Sequence, residues 1–328
     1  MINTFFRLVR LPNLLFLALL QFLMYVSVIE PIMMRYGFSF GENRLALTLL
    51  IAATALIAAG GYVLNDYFDV KIDAINKPDK QIVTQSISKK SAMLTYQILT
   101  AAGVICGLAL SFWVRSFTLG FVFVLAPGAL WFYSASYKRQ FMIGNVVVAF
   151  ISAVGVLAVA LLQMAILQKI YQKFIFDTPI PVLIYAYVGG FAVFAFFCTW
   201  VREIIKDLED ADGDREVECR TMPIVWGERK TKIFTMALIL LIIILLIIVS
   251  KIIPTGKSLT FKYILWGLII PFAALGVLLW KSKTSAEYHQ PSTFSKIIML
   301  VGALYSLVFY YIIAKESGFP LFNMFLVK

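Results

Sequence analysis

The sequence is poor in the residue types that serve many metal sites and nucleophilic enzymes. Its 328 residues include one histidine, His289, and three widely separated cysteines, Cys106, Cys198 and Cys219. A single histidine excludes a histidine-ligated metal site and a histidine-based catalytic triad. The cysteine spacing indicates neither a disulfide framework nor a zinc site. Any catalytic chemistry must therefore depend on other side chains.

Charge is also scarce, because only 14% of the residues are charged and 61% are hydrophobic. Soluble globular proteins carry about a quarter charged residues, so this composition predicts a membrane protein. Runs of roughly 20 apolar residues can cross the hydrocarbon core as helices. Such runs occupy residues 11–29, 45–64, 91–113, 117–134, 142–167, 181–201, 233–250, 261–280 and 297–314. We therefore predict an all-α, polytopic membrane protein with about nine transmembrane helices in one bundle.

The distribution of basic residues predicts the orientation of this bundle. Arg7 and Arg10 precede the first apolar run, but no small-residue cleavage site follows, so we expect a retained helix rather than a signal peptide. The N-terminus and the loops after helices 2, 4, 6 and 8 hold 19 of the 29 Lys and Arg residues. Positive loops face the cytoplasm, so we expect a cytoplasmic N-terminus in a cell (inner) membrane. The net charge of +11 thus reflects topology rather than a nucleic-acid partner, and no protein partner is indicated.

The acidic residues are concentrated in two of these loops, at about residues 65–90 and 202–232. Four of the 18 Asp and Glu residues follow helix 2, and nine lie at or after the end of helix 6. Acidic residues contribute little to topology, so orientation does not explain this concentration. Glycine pairs, Gly60-Gly61 and Gly189-Gly190, stand in the two preceding helices and permit close helix approach.

Two aspartate triplets share the spacing DxxDxxxD. They are Asp66, Asp69 and Asp73, and Asp207, Asp210 and Asp214. At about 100° per residue, each triplet lines one stripe if its helix continues past the membrane. Oxygen ligands suit Mg²⁺, which is usually held together with substrate phosphates. The alternatives are ordinary solvated loops and an EF-hand, which fails because Leu208 and Cys219 would occupy ligand positions.

The stretch NDYFDVKID, residues 65–73, resembles the NDxxDxxxD signature of the UbiA superfamily of intramembrane prenyltransferases at every fixed position. The run from Asp207 to Asp214 is similar to the second aspartate motif of that family. The resemblance implies that both motifs bind Mg²⁺ and the diphosphate of a prenyl donor. It gives the catalytic and metal-binding residues as Asp66, Asp69, Asp73, Asp207, Asp210 and Asp214, with Asn65 beside them.

Further segments also resemble the family. YSASYKR (133–139) is similar to the segment that contacts the diphosphate, which implies substrate-binding roles for Tyr133, Ser134, Lys138 and Arg139. Arg10 and Asn13, in RLPN, resemble residues of the cleft. Arg202 and Lys206 could add positive charge against the diphosphate, although topology alone also predicts basic residues there. Many relatives carry an NRPxRP-like stretch after the first motif, where this chain has NKPDKQ with Lys77 and Lys80.

Within the superfamily, REIIKDLEDADGD and NDYFDVKIDAINKPDK look most like the branch that prenylates geranylgeranylglyceryl phosphate. We therefore expect one transmembrane prenyltransferase domain over residues 1–328, which transfers an isoprenyl group to that acceptor or a similar lipophilic membrane-lipid precursor. An aromatic acceptor of the 4-hydroxybenzoate or dihydroxynaphthoate type is the first alternative. A polytopic transporter is the alternative from another class, although transporters place coupling acids near the bilayer midplane.

Overall fold

The computed structural model describes residues 2–38, 43–76, 81–252 and 256–322. These ranges are α-helical apart from short connections and one isolated bridge between Val83 and Ile87. The all-α prediction is therefore confirmed. Lys77 and Lys80 lie outside the described residues, as does Asp79.

The described α-helices follow one another with short connections. In chain order they are α1 (Ile2–Leu8), α2 (Leu11–Leu23), α3 (Glu30–Arg35), α4 (Arg44–Phe68), α5 (Val70–Asn76), α6 (Lys89–Val114), α7 (Phe117–Ala135), α8 (Ile143–Tyr171), α9 (Ile180–Glu209), α10 (Ala211–Glu216), α11 (Met222–Trp226), α12 (Glu228–Ile252), α13 (Lys257–Ile264), α14 (Ile270–Lys281) and α15 (Ser285–Ser317).

Within the described ranges, nine helical segments are long and apolar enough to cross a membrane, as predicted. They are Leu11–Arg35, Arg44–Phe68, Lys89–Val114, Phe117–Arg139, Ile143–Asp177, Ile180–Glu209, Glu228–Ile252, Lys257–Lys281 and Ser285–Ser317. The helices extend past the predicted apolar runs, most of all at 143–177 and 285–317. Hydropathy detects only the apolar part of a helix, whereas the backbone hydrogen bonds continue through polar residues.

Two spans contain a π-helical turn directly before a proline. Met24–Ile29 precedes Pro31, and Leu265–Ile269 precedes Pro271. Proline lacks an N–H and its ring crowds the carbonyl four residues earlier, and a widened turn relieves that crowding. The first helix therefore continues to Arg35, beyond the predicted apolar run of 11–29.

Three clusters of buried apolar side chains form the core of the described structure, and α9 and α15 contribute to the two larger ones. Helices α4 and α6 approach closely at Gly103, where an added Cβ would lie 3.0 Å from the Ala53 carbonyl oxygen. The predicted close approach at Gly61 is confirmed, because an added Cβ would lie 3.0 Å from Leu130. At Gly189-Gly190 the prediction is wrong, since an added Cβ there would meet nothing within 4 Å among the described atoms.

The two aspartate motifs fold as two bent helix ends rather than as loops. Helix α4 ends at Phe68 and α5 begins at Val70, with Asp69 between them; α9 ends at Glu209 and α10 begins at Ala211. The stripe expected on a continuous helix is therefore bent at its middle aspartate. The short helices meet where the Asn76 side-chain amide donates to the Asp210 carbonyl oxygen at 3.2 Å.

Candidate active site

A cavity of about 900 Å³ opens at the end of the bundle where the two motifs meet. The predicted site residues that line it are Asn13, Asn65, Asp66, Asp69, Asp73, Tyr133, Lys138, Arg139, Lys206, Asp207, Asp210 and Asp214. Ser134 and Arg202 are not among its lining residues: Ser134 is buried, and Arg202 is paired with Glu203. The structure thus brings all six aspartates to one cavity, and a substrate-binding role for Ser134 or Arg202 stays a prediction.

The first motif holds its carboxylates against fixed cations. Arg10 stands between α1 and α2 with a left-handed backbone (φ 52°), and its Nη2 donates to Asp66 Oδ1 at 2.9 Å. Lys138 Nζ donates to Asn65 Oδ1 at 3.1 Å and also to Asp69 Oδ1. Asn65 Nδ2 in turn donates to Asp69 Oδ2 at 2.8 Å. Two of the three carboxylates of this motif, Asp66 and Asp69, are therefore paired with cations.

Backbone packing fixes the position of Lys138. This residue lies in a 3₁₀ turn, Tyr137–Arg139, between α7 and α8. The turn rests on Gly144, where an added Cβ would lie 2.6 Å from Lys138 Cα and 2.7 Å from the Tyr137 oxygen. Arg139 Nη2 also donates to the Phe68 carbonyl oxygen at 3.0 Å, at the end of α4. Only glycine at position 144 permits this approach without a backbone shift.

In the second motif, Asp207 and Asp214 each accept a hydrogen bond from a neutral side chain. Asn145 Nδ2 donates to Asp207 Oδ2 at 2.8 Å, and Thr221 Oγ1 donates to Asp214 Oδ2 at 3.3 Å. One turn before the motif, Glu203 accepts from Arg202 at 2.7 Å and from Lys206 at 2.8 Å. The described hydrogen bonds of these two cations thus go to Glu203.

Burial and mutual repulsion disfavour the ionised form of the last aspartate in each motif. Burial raises the pKa of Asp73 to about 6, and repulsion from Asp69 and Asp66 adds to this effect. Burial likewise raises the pKa of Asp214 to about 6, with repulsion from Asp210 and from Asp69. Because Asp69 belongs to the other motif, its repulsion of Asp214 shows that the two motifs face each other.

The donor set of this cavity fits a hard divalent cation. The facing motifs offer carboxylate oxygens without histidine. Burial first, and repulsion between neighbouring aspartates second, raise the pKa values of Asp73 and Asp214, and a bound cation would offset that repulsion. Among the described residues, no three acidic, histidine or cysteine side chains already form a metal cage. Such a set suits an ion that takes part of its coordination from water or phosphate, which is the habit of Mg²⁺.

Comparison with known proteins decides the family. The model described as "UbiA prenyltransferase family" matches residues 14–301. The chain belongs to the UbiA prenyltransferase family. This prenyltransferase is 29% identical over 230 residues to the digeranylgeranylglyceryl phosphate synthase of Sulfurisphaera tokodaii. The aligned region covers 70% of this chain and 72% of that protein.

Solved structures show the same fold as this prenyltransferase. A structure of digeranylgeranylglyceryl phosphate synthase aligns with a TM-score of 0.61 and 23% identity, covering 94% of this chain and 98% of that one. A UbiA homolog from Archaeoglobus fulgidus bound to DMAPP and Mg²⁺ aligns with a TM-score of 0.54 and 17% identity. That alignment covers 91% of this chain and 97% of the homolog. The predicted family resemblance and enzyme class are confirmed, and this prenyltransferase is an integral membrane protein.

Sequence reasoning missed several polar residues in the cavity of this prenyltransferase, among them Asn145, Glu203 and Lys296. Asn145 lies early in an apolar run, Glu203 was counted only as an acid near the second motif, and Lys296 precedes the last apolar run. An uncharged amide inside the run 142–167 could have signalled Asn145. Lys296 carried no signal beyond its single charge at the start of a span.

Proposed function

We propose that this prenyltransferase transfers a geranylgeranyl group from a prenyl diphosphate to geranylgeranylglyceryl phosphate or a similar membrane-lipid precursor, in an Mg²⁺-dependent reaction. The observation that carries the proposal is the meeting of six aspartates with Arg10 and Lys138 in one cavity. The name of the Sulfurisphaera tokodaii relative supports the acceptor. The DMAPP and Mg²⁺ bound by the Archaeoglobus fulgidus homolog support the donor class and the metal.

The two motifs are the proposed holders of Mg²⁺. The ligands would come from Asp66, Asp69, Asp73, Asp207, Asp210 and Asp214. Bound there with the donor diphosphate, Mg²⁺ would supply Lewis-acid stabilisation of the leaving oxygens.

The fixed cations of the chain act on the same leaving group. When the allylic C–O bond breaks, its electron pair stays with the diphosphate, and negative charge grows on those oxygens. Lys138 and Arg10 hold positive charge beside the first motif at defined positions, so they stabilise this charge without reorganising. Asn13, Asn65 and Tyr133 supply amide and hydroxyl groups that orient the donor. A hydroxyl oxygen of the acceptor forms the new C–O bond, and its proton passes to a carboxylate or to a released diphosphate oxygen.

We further infer that residues 1–328 form one domain, with the cavity on the cytoplasmic side of the cell membrane. Two core clusters that share α9 and α15 support the single domain. The concentration of Lys and Arg at the N-terminus and on the motif side supports the orientation. An impermeant maleimide should label a cysteine introduced as Asp212→Cys in inverted vesicles but not in intact cells.

The decisive experiment uses purified protein in vesicles with Mg²⁺, labelled prenyl diphosphates of ten to twenty carbons and a panel of acceptors. We expect labelled ether lipid from geranylgeranyl diphosphate and geranylgeranylglyceryl phosphate, and no product in EDTA. If labelled product forms only with 4-hydroxybenzoate, the acceptor is aromatic and the proposed lipid acceptor is wrong. If no donor releases diphosphate, the proposed function is wrong, and the alternative of a polytopic transporter is favoured.

A further inference from the structure

Helix α15 brings an unpaired lysine into the active-site cavity. Lys296 lies eleven residues after Ser285, or about 16 Å along the helix at roughly 1.5 Å per residue, and it lines the same cavity as the aspartates. In the parts of the chain that the structure describes, its exposed side chain has neither a hydrogen bond nor an ion-pair partner. Ionisable groups on membrane-spanning helices are costly and usually functional. The ammonium group of Lys296 is therefore available to an anion that enters the cavity.

The charges around Lys296 are mainly positive. Arg202, Lys206 and Arg10 repel its ammonium group, and Glu209 attracts it. Glu203 engages Arg202 and Lys206, Asp66 engages Arg10, and Glu209 is paired with His289.

Arg7, from α1, also lines the cavity and adds a further cation. Arg7, Arg10, Lys206 and Lys296 are therefore four cations in the cavity lining, and Lys206 and Arg10 act electrostatically on Lys296. We define the side chains of Arg7, Lys206 and Lys296 as the cationic pole of the cavity.

The cavity lining therefore holds two sets of charged side chains with opposite requirements. The aspartate motifs repel an anion unless a metal ion bridges it, whereas the cationic pole attracts an anion directly. Lysine binds phosphate as a point charge and forms charge-assisted hydrogen bonds with its oxygens. The geometry points to the cationic pole as the binding site for the phosphate monoester of the acceptor lipid, with Lys296 as its specificity-determining residue. This inference rests on the proposed function, because it assumes a phosphate-bearing acceptor.

The same helix that carries Arg7 also presents apolar side chains. Phe6 lines the cavity beside Arg7, and Phe5 and Phe6 are both exposed. A phosphate held at the cationic pole would thus have apolar surface next to it for the lipid chain. The competing explanation is that Lys296 reaches the phosphates of bulk lipid, as long basic side chains do at membrane interfaces.

The test is steady-state kinetics of Lys296→Gln in vesicles of neutral lipid, with acceptor and donor varied separately. We expect the KM for geranylgeranylglyceryl phosphate to rise by about tenfold or more, which is the scale of a lost charge-assisted hydrogen bond. The KM for the prenyl diphosphate should stay within about twofold, because Lys296 lies outside the described contacts of the aspartate motifs. Lys296→Arg should restore most of the acceptor affinity. The matched control is Lys315→Gln, on the same helix but outside the cavity.

A second acceptor separates phosphate recognition from general damage. The dephosphorylated lipid alcohol should be a poor substrate for the wild type, and Lys296→Gln should remove most of this preference for the phosphate. Unchanged acceptor KM in Lys296→Gln, with an active wild type, would overturn the inference and favour the bulk-lipid explanation. A wild type that uses no phosphate-bearing acceptor would instead refute the proposed function, so the two failures are distinguishable.

Discussion

The two aspartate motifs have nearly the same backbone but different electrostatic surroundings. At the bend between the long and the short helix, Asp69 has φ −88° and ψ 1°, and Asp210 has φ −96° and ψ 5°. In both motifs the N–H of this aspartate bonds to the carbonyl four residues earlier, and its own carbonyl accepts from the last aspartate. The repeated DxxDxxxD spacing is thus a repeated local structure.

The partners of the carboxylates differ between the two halves. Arg10 and Lys138 contact the first motif, whereas Asn145 and Thr221 are the described side-chain partners of Asp207 and Asp214. We expect the first half to act through fixed cations that stabilise the diphosphate, and the second half to contribute mainly carboxylate charge for the metal ion. The two motifs can therefore have different roles although their backbones are similar, because side chains from other parts of the chain set the charge around each motif.

The largest expected effect comes from neutralising one carboxylate in either half. Asp66→Asn and Asp207→Asn should each lower kcat by about 100- to 1,000-fold, because each removes charge that holds the metal ion against the leaving group. Single-turnover product formation at saturating Mg²⁺ measures this loss.

The matched control for these variants is Asp212→Asn. Asp212 lies within the second acidic run but is exposed and does not line the cavity, so its substitution should leave kcat unchanged. Wild-type activity of Asp207→Asn would show that the charge of Asp207 is not needed for catalysis, and it would contradict the role assigned to the second motif.

Substituting the side chains that contact the carboxylates should affect kcat differently in the two motifs. Lys138→Met should lower kcat by about 100-fold, because a fixed cation beside the developing charge is lost. Asn145→Ala should lower kcat by about tenfold or less, because it removes one hydrogen bond from a neutral donor. Both variants are compared in kcat at saturating donor. A larger loss for Asn145→Ala than for Lys138→Met would contradict the assigned roles.

An effect smaller than that of Lys138→Met is expected from Gly144→Ala, which removes no polar group. The added Cβ would displace the turn that carries Lys138, and we expect kcat to fall by about tenfold, because small misplacements of catalytic groups are costly. Gly128→Ala is the control, since an added Cβ there meets nothing within 4 Å in the described structure. Equal kcat for the two alanine variants would show that the position of Lys138 is not fixed by Gly144.

The smallest expected effect is on stability. At pH 7.5, above the pKa of about 6, Asp214 is ionised at an energetic cost from burial and from repulsion by Asp210. Asp214→Asn removes this charge and should raise Tm in EDTA by about 2–4 °C. Mg²⁺ with a prenyl diphosphate should raise the Tm of the wild type more than that of the variant. A lower Tm for Asp214→Asn in EDTA would show that its bond to Thr221 outweighs the repulsion.

Sequence periodicity and composition predicted the spans better than their ends. The apolar runs of 142–167 and 297–314 marked the right helices, but the structure extends them to 143–177 and 285–317. The first helix likewise continues beyond its predicted run of 11–29, because a π-helical turn accommodates Pro31. The glycine pairs show the same limit: Gly60-Gly61 and Gly189-Gly190 look alike in sequence, but only the first pair has a close neighbour.

The sequence by itself determined the membrane class, the number of spans and the two aspartate triplets, because hydropathy and residue spacing are local properties of the chain. Tertiary structure decided which charges meet. It placed Arg10 on Asp66, Lys138 on Asp69 and Asn145 on Asp207, and it brought Lys296 to the cavity. Coulomb energy depends on the distance between charges and on their burial. Both are set by the tertiary fold, and neither is a local property of the sequence.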